Sequence, residues 1–178
     1  MRLVITLLIW MSAAFSAFPA RAQWDFYTAT TAEIAGGRPG TVIRTEILNG
    51  TPEGATAYRM LYRSLGLDGK PTAVSGIAIV PSGPVPPGGR AIVAWAHPTT
   101  GVQPQCGPSR SGGIFQSIQG LRAMIARGYI VAATDYPGLG APGTHPYLIG
   151  ASEGRSVVVS VRAARQLAGA SAGRRFTV

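Results

Sequence analysis

Residues 150 to 154 read Gly150-Ala151-Ser152-Glu153-Gly154, a G-x-S-x-G spacing. In that spacing a serine held on a sharp strand-to-helix turn attacks an acyl carbon, with a histidine as its base and an acid behind the histidine. The side chains that could serve Ser152 in this way are His145 or His97, with Asp135. Two features argue against the assignment. Only Tyr147-Leu148-Ile149 precede Gly150, with Gly143-Thr144-His145-Pro146 before them, which leaves hardly any room for a delivering strand. The acid and the histidine should also come after the serine in sequence, yet after Ser152 there is no Asp and no His, and Glu153 is the one acid. Ser152 is expected instead to be the N-cap of the next helix, its hydroxyl accepting from a free main-chain amide.

The remaining chemistry-bearing residues are few. His97 closes an apolar run and precedes any serine of the expected order, so it is expected to anchor a loop by hydrogen bonding rather than to act as a base. His145 falls between Thr144 and Pro146 and is expected at a pocket rim. Two histidines, the single Cys106 and scattered carboxylates show no metal-ligand spacing. Gly138-Leu139-Gly140 runs on into Ala141-Pro142-Gly143 rather than into a helix, which excludes a phosphate loop or dinucleotide fingerprint. No metal and no cofactor is expected.

Periodicity defines the elements that must position these residues. Residues 23 to 40 have no clear period and are read as a loop segment. Thr41 to Leu48, Ala57 to Leu65 and Thr72 to Val80 are β-rich, and the last two flank a Gly/Asp/Pro cluster suited to a hairpin. Pro81 to Gly89 is a surface loop. Ala91 to Ala96 and Tyr129 to Thr134 are continuous apolar runs, as expected of strands covered on both faces. Between them Ile114, Ile118, Leu121 and Ile125 recur at 4, 3 and 4 residues, predicting one amphipathic helix over Gly113 to Arg127. A second helix is predicted over roughly Glu153 to Leu167, and a strand begins at Arg175. Antiparallel strands and then β-α-β-α-β predict an α/β fold with a parallel core.

Within that order three stretches resemble a known family. His97-Pro98-Thr99-Thr100-Gly101 after the first core strand resembles the H-G-x-x-G oxyanion loop of esterases and lipases. Asp135-Tyr136-Pro137-Gly138-Leu139-Gly140 resembles their D-x-x-G-x-G turn. Cys106-Gly107-Pro108-Ser109, with Gly150 to Gly154 and Val161-Arg162-Ala163-Ala164, is similar to the secretory lipase family of the α/β-hydrolase superfamily, whose members read C-A-P-S at the first of these positions. The resemblance covers most of residues 40 to 178. It implies a truncated α/β-hydrolase fold, the amino-terminal part of a secreted carboxylic-ester hydrolase acting on triacylglycerol or other acyl esters. It also implies that the serine turn comes directly after the strand begun at Arg175, so that nucleophile, acid, histidine and lid lie beyond Val178 and these residues alone are inactive. The catalytic element left is a main-chain amide of the oxyanion hole, which in the family comes six positions before the cysteine: Thr100, or Thr99 if the loop is offset by one. Pro98 departs from the family's glycine, and its missing N–H and fixed φ alter the loop. In the family Cys106 pairs with a cysteine far downstream.

Met1-Arg2, the apolar run from Leu3 to Phe18 and Pro19-Ala20-Arg21-Ala22 read as an export signal cleaved before Gln23, placing the protein in the periplasm or outside the cell. Its removal lowers the formal charge of +9 by Arg2 and Arg21 only. The arginines fall singly apart from Arg174-Arg175, without a basic stripe or an aromatic platform, so no nucleic acid is expected. A basic surface of this kind favours contact with anionic membranes or wall polymers. Two rival readings stay open: a non-catalytic exported binding protein derived from a hydrolase, and a minimal serine hydrolase using Ser152.

Overall fold

The computed structural model describes residues 25–178; the expected export signal, 1–22, lies outside them. The described chain folds around one six-stranded mixed sheet. Its first half is antiparallel: β1 (Val42–Ile47), β2 (Ala55–Leu65) and β3 (Pro71–Pro81) pair in sequence order. The β2–β3 hairpin runs in unbroken register from Ala55↔Pro81 to Leu65↔Pro71. Its turn is closed by Gly66 N–H on the Lys70 carbonyl, with Gly69 at φ +74° supplying the left-handed residue such a turn needs.

The second half is wound as βαβαβ. β4 (Arg90–Trp95) and β5 (Ile130–Thr134) are parallel, β6 (Ala172–Thr177) pairs with the other side of β4, and β5 joins β3 antiparallel, giving the order β1-β2-β3-β5-β4-β6. Alternation along the strands divides the core. Val74, Ala78, Val80, Ile92, Ala94, Ile130 and Ala132 face α4 (Gly150–Ala164), which packs Val157, Val161, Ala163 and Ala164 against them. Ile77, Ile79, Val131 and Ala133 face the other way, onto Ile114, Ile118, Leu121 and Ile125. With that period of two, β5 is buried on both faces and β4 is buried on one and half-buried on the other, which is why both read as continuous apolar runs.

Three elements differ from expectation. The predicted helix over Gly113 to Arg127 is two short ones, α2 (Ile114–Ser117) and α3 (Leu121–Ala126), because Ile118 turns extended at ψ 106° and Gly120 adopts φ +70°. The apolar stripe stays buried across the break, so the spacing alone was satisfied by either arrangement. The segment read as a loop over 23 to 40 contains α1 (Thr31–Ala35), opened by a capping box in which Thr30 Oγ1 accepts from Glu33 N and the Glu33 carboxylate accepts from Thr30 N. The Thr30 amide first, and then the Thr30 hydroxyl and Arg44, donate to the Glu33 carboxylate and hold it below its ordinary range. Finally, α4 starts at Gly150 with Ile149 as its N-cap, so Ser152 lies inside the first turn and does not cap it. Among the described residues no helix is long and apolar enough to cross a membrane.

Candidate functional site

Because β4 and β5 are parallel, the loops leaving their carboxyl ends emerge side by side. The connection from β4 to β5 runs over one face of the sheet and that from β5 to β6 over the other, which opens a crevice at the carboxyl end of β4. The loop 96–101 and the turn 135–140 fill its floor, and Asp135 holds them. Its carboxylate is buried and accepts three hydrogen bonds: from Ser75 Oγ on β3 at 2.6 Å, from Ser109 N at 2.8 Å, and from the Ser109 hydroxyl. Burial pushes the Asp135 carboxyl above its ordinary range, and the Ser109 and Ser75 bonds pull the other way. Behind it, the Tyr27 hydroxyl lies 3.1 Å from Ser109 Oγ, while the Tyr27 ring sits under the Arg110 guanidinium at 3.6 Å. Sequence reasoning assigned no role to Ser75, Ser109 or Tyr27; the one signal was that Ser109 ends the C-G-P-S stretch.

The turn after Asp135 is forced into shape by close approach. Gly140, at φ +70°, has no room for a side chain: a Cβ there would meet Ser75 Oγ, and Asp135 Oδ2 at 2.5 Å. Tyr136 adopts φ +70° as well, a conformation that costs a residue with a Cβ of order 1 kcal/mol or more. Its hydroxyl donates to the His97 carbonyl at 3.2 Å and its ring lies tilted against His97, with centroids 4.2 Å apart.

The two histidines are tied to the main chain. His97 is buried, with Nε2 at 3.2 Å from the Asp135 carbonyl and Nδ1 at 2.7 Å from the Pro98 carbonyl. His145 Nδ1 lies 2.9 Å from the Pro137 carbonyl. Neither ring is hydrogen-bonded to the Asp135 carboxylate, so the relay His–Asp is absent among the described residues. Rings nevertheless run in an unbroken series from Trp95 through His97, Tyr136 and His145 to Tyr147, with centroids 4.2 to 6.4 Å apart.

Thr99 and Thr100 are exposed in the loop after β4. Among the described residues neither of their amides donates to a protein acceptor. Thr100 and Pro98 separate two cavities. One, of about 200 Å³, is lined by Tyr136, Leu139, His145, Tyr147 and Leu148. The other, of about 470 Å³, is lined by Trp95, Gln105, Cys106, Arg110, Ser117 and Gln119. The Cys106 thiol is free and partly exposed.

Ser152 is drawn away from all of this. It is buried to 2% and comes after a loop rather than a strand, and its hydroxyl has no hydrogen-bond partner among the described residues. Its neighbour Glu153, by contrast, reaches the smaller cavity. No group of three or more His, Cys, Asp or Glu that could hold a metal occurs among the described residues.

No protein-family profile matches the chain, and no curated protein matches it in sequence. Solved structures do. The rice cell wall degrading esterase LipA from Xanthomonas oryzae superposes with a TM-score of 0.63 at 24% identity, over 79% of this chain and 41% of that one. Candida antarctica lipase A in its closed state gives 0.63 at 19% identity, over 83% of this chain and 36% of that one. The fold is that of an α/β-hydrolase. The G231F mutant of LipA matches at 26% identity with a TM-score of 0.58 over 72% of this chain and 38% of its own. The chain thus spans well under half the length of the esterases and lipases it superposes on.

Proposed function

We propose that residues 41–178 are the amino-terminal part of a carboxylic-ester hydrolase of lipase or esterase type, exported by a signal over residues 1–22, with 23–40 as a preceding segment. The observation that carries this reading is the pair of unengaged amides at Thr99 and Thr100 in the loop after β4, where Thr100 lines both cavities at the crevice of the sheet and Thr99 the smaller one. An ester whose carbonyl oxygen sits at this divide has room for its acyl and alcohol portions on either side. As an attacking oxygen adds to the carbonyl carbon, charge grows on the carbonyl oxygen, and each preorganised N–H is worth about 3 kcal/mol of transition-state stabilisation. Thr100 is the first choice for this donor and Thr99 the second.

On this reading the nucleophile belongs to the turn after β6. β6 pairs with β4 in parallel, so a turn at its carboxyl end emerges beside the 97–101 loop. The triad acid, the histidine and the lid come later still. Ser152 is not the nucleophile, and residues 1–178 alone leave esters intact. Acyl esters, of triacylglycerol or other alcohols, are the substrate; neither a cofactor nor nucleic acid enters.

The test is to treat the protein purified from its own cell with a fluorophosphonate and map the label. The reading requires a labelled serine in a peptide continuous with Arg175-Phe176-Thr177-Val178. A label on Ser152 would replace it with a hydrolase working from α4. A cooperatively melting protein that takes no label would leave a non-catalytic exported binding protein.

A further inference from the structure

Lys70 is the one lysine, so nearly all the positive charge is arginine, dispersed along the sequence. Folding brings the segments that carry five of these arginines to one end of the sheet. Arg127 is the C-cap of α3 and leads into β5. Arg162 lies in the last turn of α4, Arg165 is its C-cap, and Arg174 and Arg175 are in β6. Both helices run back against parallel strands, so their carboxyl ends and the starts of β5 and β6 share the end of the sheet opposite the candidate site. Arg165 Nη2 donates to the Arg174 carbonyl at 2.8 Å, which joins the α4 and β6 contributions. All five are exposed, and among the described residues none is in an ion pair; the paired cations are Arg44, Arg59, Lys70 and Arg110. The helix dipole accounts in part for Arg127, Arg162 and Arg165, since cations are favoured at a helix C-terminus. Arg174 and Arg175 are on a strand and have no dipole to offset.

We propose that this arginine end docks on an anionic phospholipid surface and holds the candidate site facing away from it. A guanidinium meets a phosphate with two parallel hydrogen bonds, and a leaflet rich in acidic lipid attracts each arginine within a Debye length, about 8 Å at physiological salt. A plane fits this patch better than a threaded polyanion does. The five side chains come from three elements, and none lines the larger cavities, whereas a polyanion strand is held in a groove with stacking aromatics. Tyr129, beside Arg127 and 36% exposed, adds a ring suited to headgroup depth. Strands of this length put about 17–20 Å between the two ends. If the ester-hydrolase reading holds, the ester reaches the site from the side away from the bilayer and is not the lipid underneath, and the patch is the end of the sheet opposite the nucleophile turn.

The experiment is flotation of the full chain with vesicles of phosphatidylcholine alone or with about 30% phosphatidylglycerol, at low and at physiological salt. Because residues 3–18 are apolar, the quantity read is the excess binding to the acidic vesicles over the neutral ones. A salt-sensitive excess is expected, falling by roughly two orders of magnitude in R165Q/R174Q/R175Q. The lysine variant R165K/R174K/R175K should retain most of it, which separates lost charge from lost fold. K70Q/R155Q, outside the patch, should bind as the parent does. Equal binding to both vesicles, or an excess that survives the glutamine substitutions, overturns the proposal. So does binding to heparin or DNA without any vesicle excess, which would make the patch a polyanion site. None of these outcomes depends on esterase activity.

Discussion

At the scale of single residues, Asp135 organises the site from behind rather than from within it. Its carboxylate joins β3 through Ser75 and the segment after Cys106 through Ser109, and its carbonyl faces His97. Burial raises its pKa in the folded state, so between the unfolded and folded values the native protein binds more protons than the unfolded chain. Its contribution to stability is therefore greatest below the ordinary aspartate pKa and is lost as pH rises through the folded value. Asp135→Asn, which keeps a carbonyl acceptor without the charge, should flatten that part of the pH–stability curve in urea melts. Asp135→Ala leaves the buried Ser109 amide without its partner and should cost about 1–3 kcal/mol or more at every pH. An unchanged pH profile in Asp135→Asn would mean that the carboxyl titrates as if exposed. Ser152 gives the opposite expectation. A buried hydroxyl without a partner is a desolvation cost, so Ser152→Ala should be neutral or up to about 1 kcal/mol more stable, with fluorophosphonate labelling of the natural protein intact. Loss of labelling with the fold retained would return Ser152 to the nucleophile's place.

At the scale of elements, the break between α2 and α3 separates two explanations of one apolar pattern. Ile114, Ile118, Leu121 and Ile125 are all buried, as a continuous helix would also have them. The difference rests on Gly120 at φ +70°, where an added Cβ has open space but an unfavourable backbone. Gly120→Ala should destabilise by about 1 kcal/mol, whereas in a continuous helix the same change would stabilise by a similar amount. Ile118→Ala should cost about 2–5 kcal/mol in either case and calibrates the scale of the melt. The strands were legible because β5 is buried throughout and β4 is buried or half-buried at every position, which leaves no polar position to interrupt the run from Ala91 to Trp95. The helix break was not, since periodicity reports which face is buried and is silent on whether the backbone stays helical between two buried residues. α1 was legible in principle, as Thr30-x-x-Glu33 is a capping box, but without an apolar run after it nothing drew attention to it. The G-x-S-x-G stretch misled about the cap: the missing strand before Gly150 could be read from the residues, but helix α4 starts earlier than its apolar stripe.

At the scale of the whole molecule, the sequence order of antiparallel strands and then βαβαβ was enough to foresee the sheet, because sequential units pair locally. The site's support and the arginine end could not be foreseen in the same way. Ser75, Ser109 and Asp135 are far apart in sequence, and Arg165 meets Arg174, with Arg127 at the same end, only because helices return to that end of a parallel sheet. The same topology leaves β6 at an edge of the described sheet, with Arg174 to Thr177 exposed. An open edge is a template for pairing with another chain, and charged residues on it oppose such pairing. In the 178-residue chain, R174V/R175V should therefore self-associate more strongly with concentration than the parent does, seen by light scattering, with the melting free energy changed by no more than about 0.5 kcal/mol. R174K/R175K should associate no more than the parent. If the valine variant also associates no more than the parent across the accessible concentration range, the edge is protected by its geometry rather than by its charge, and the two arginines are left with the docking role alone.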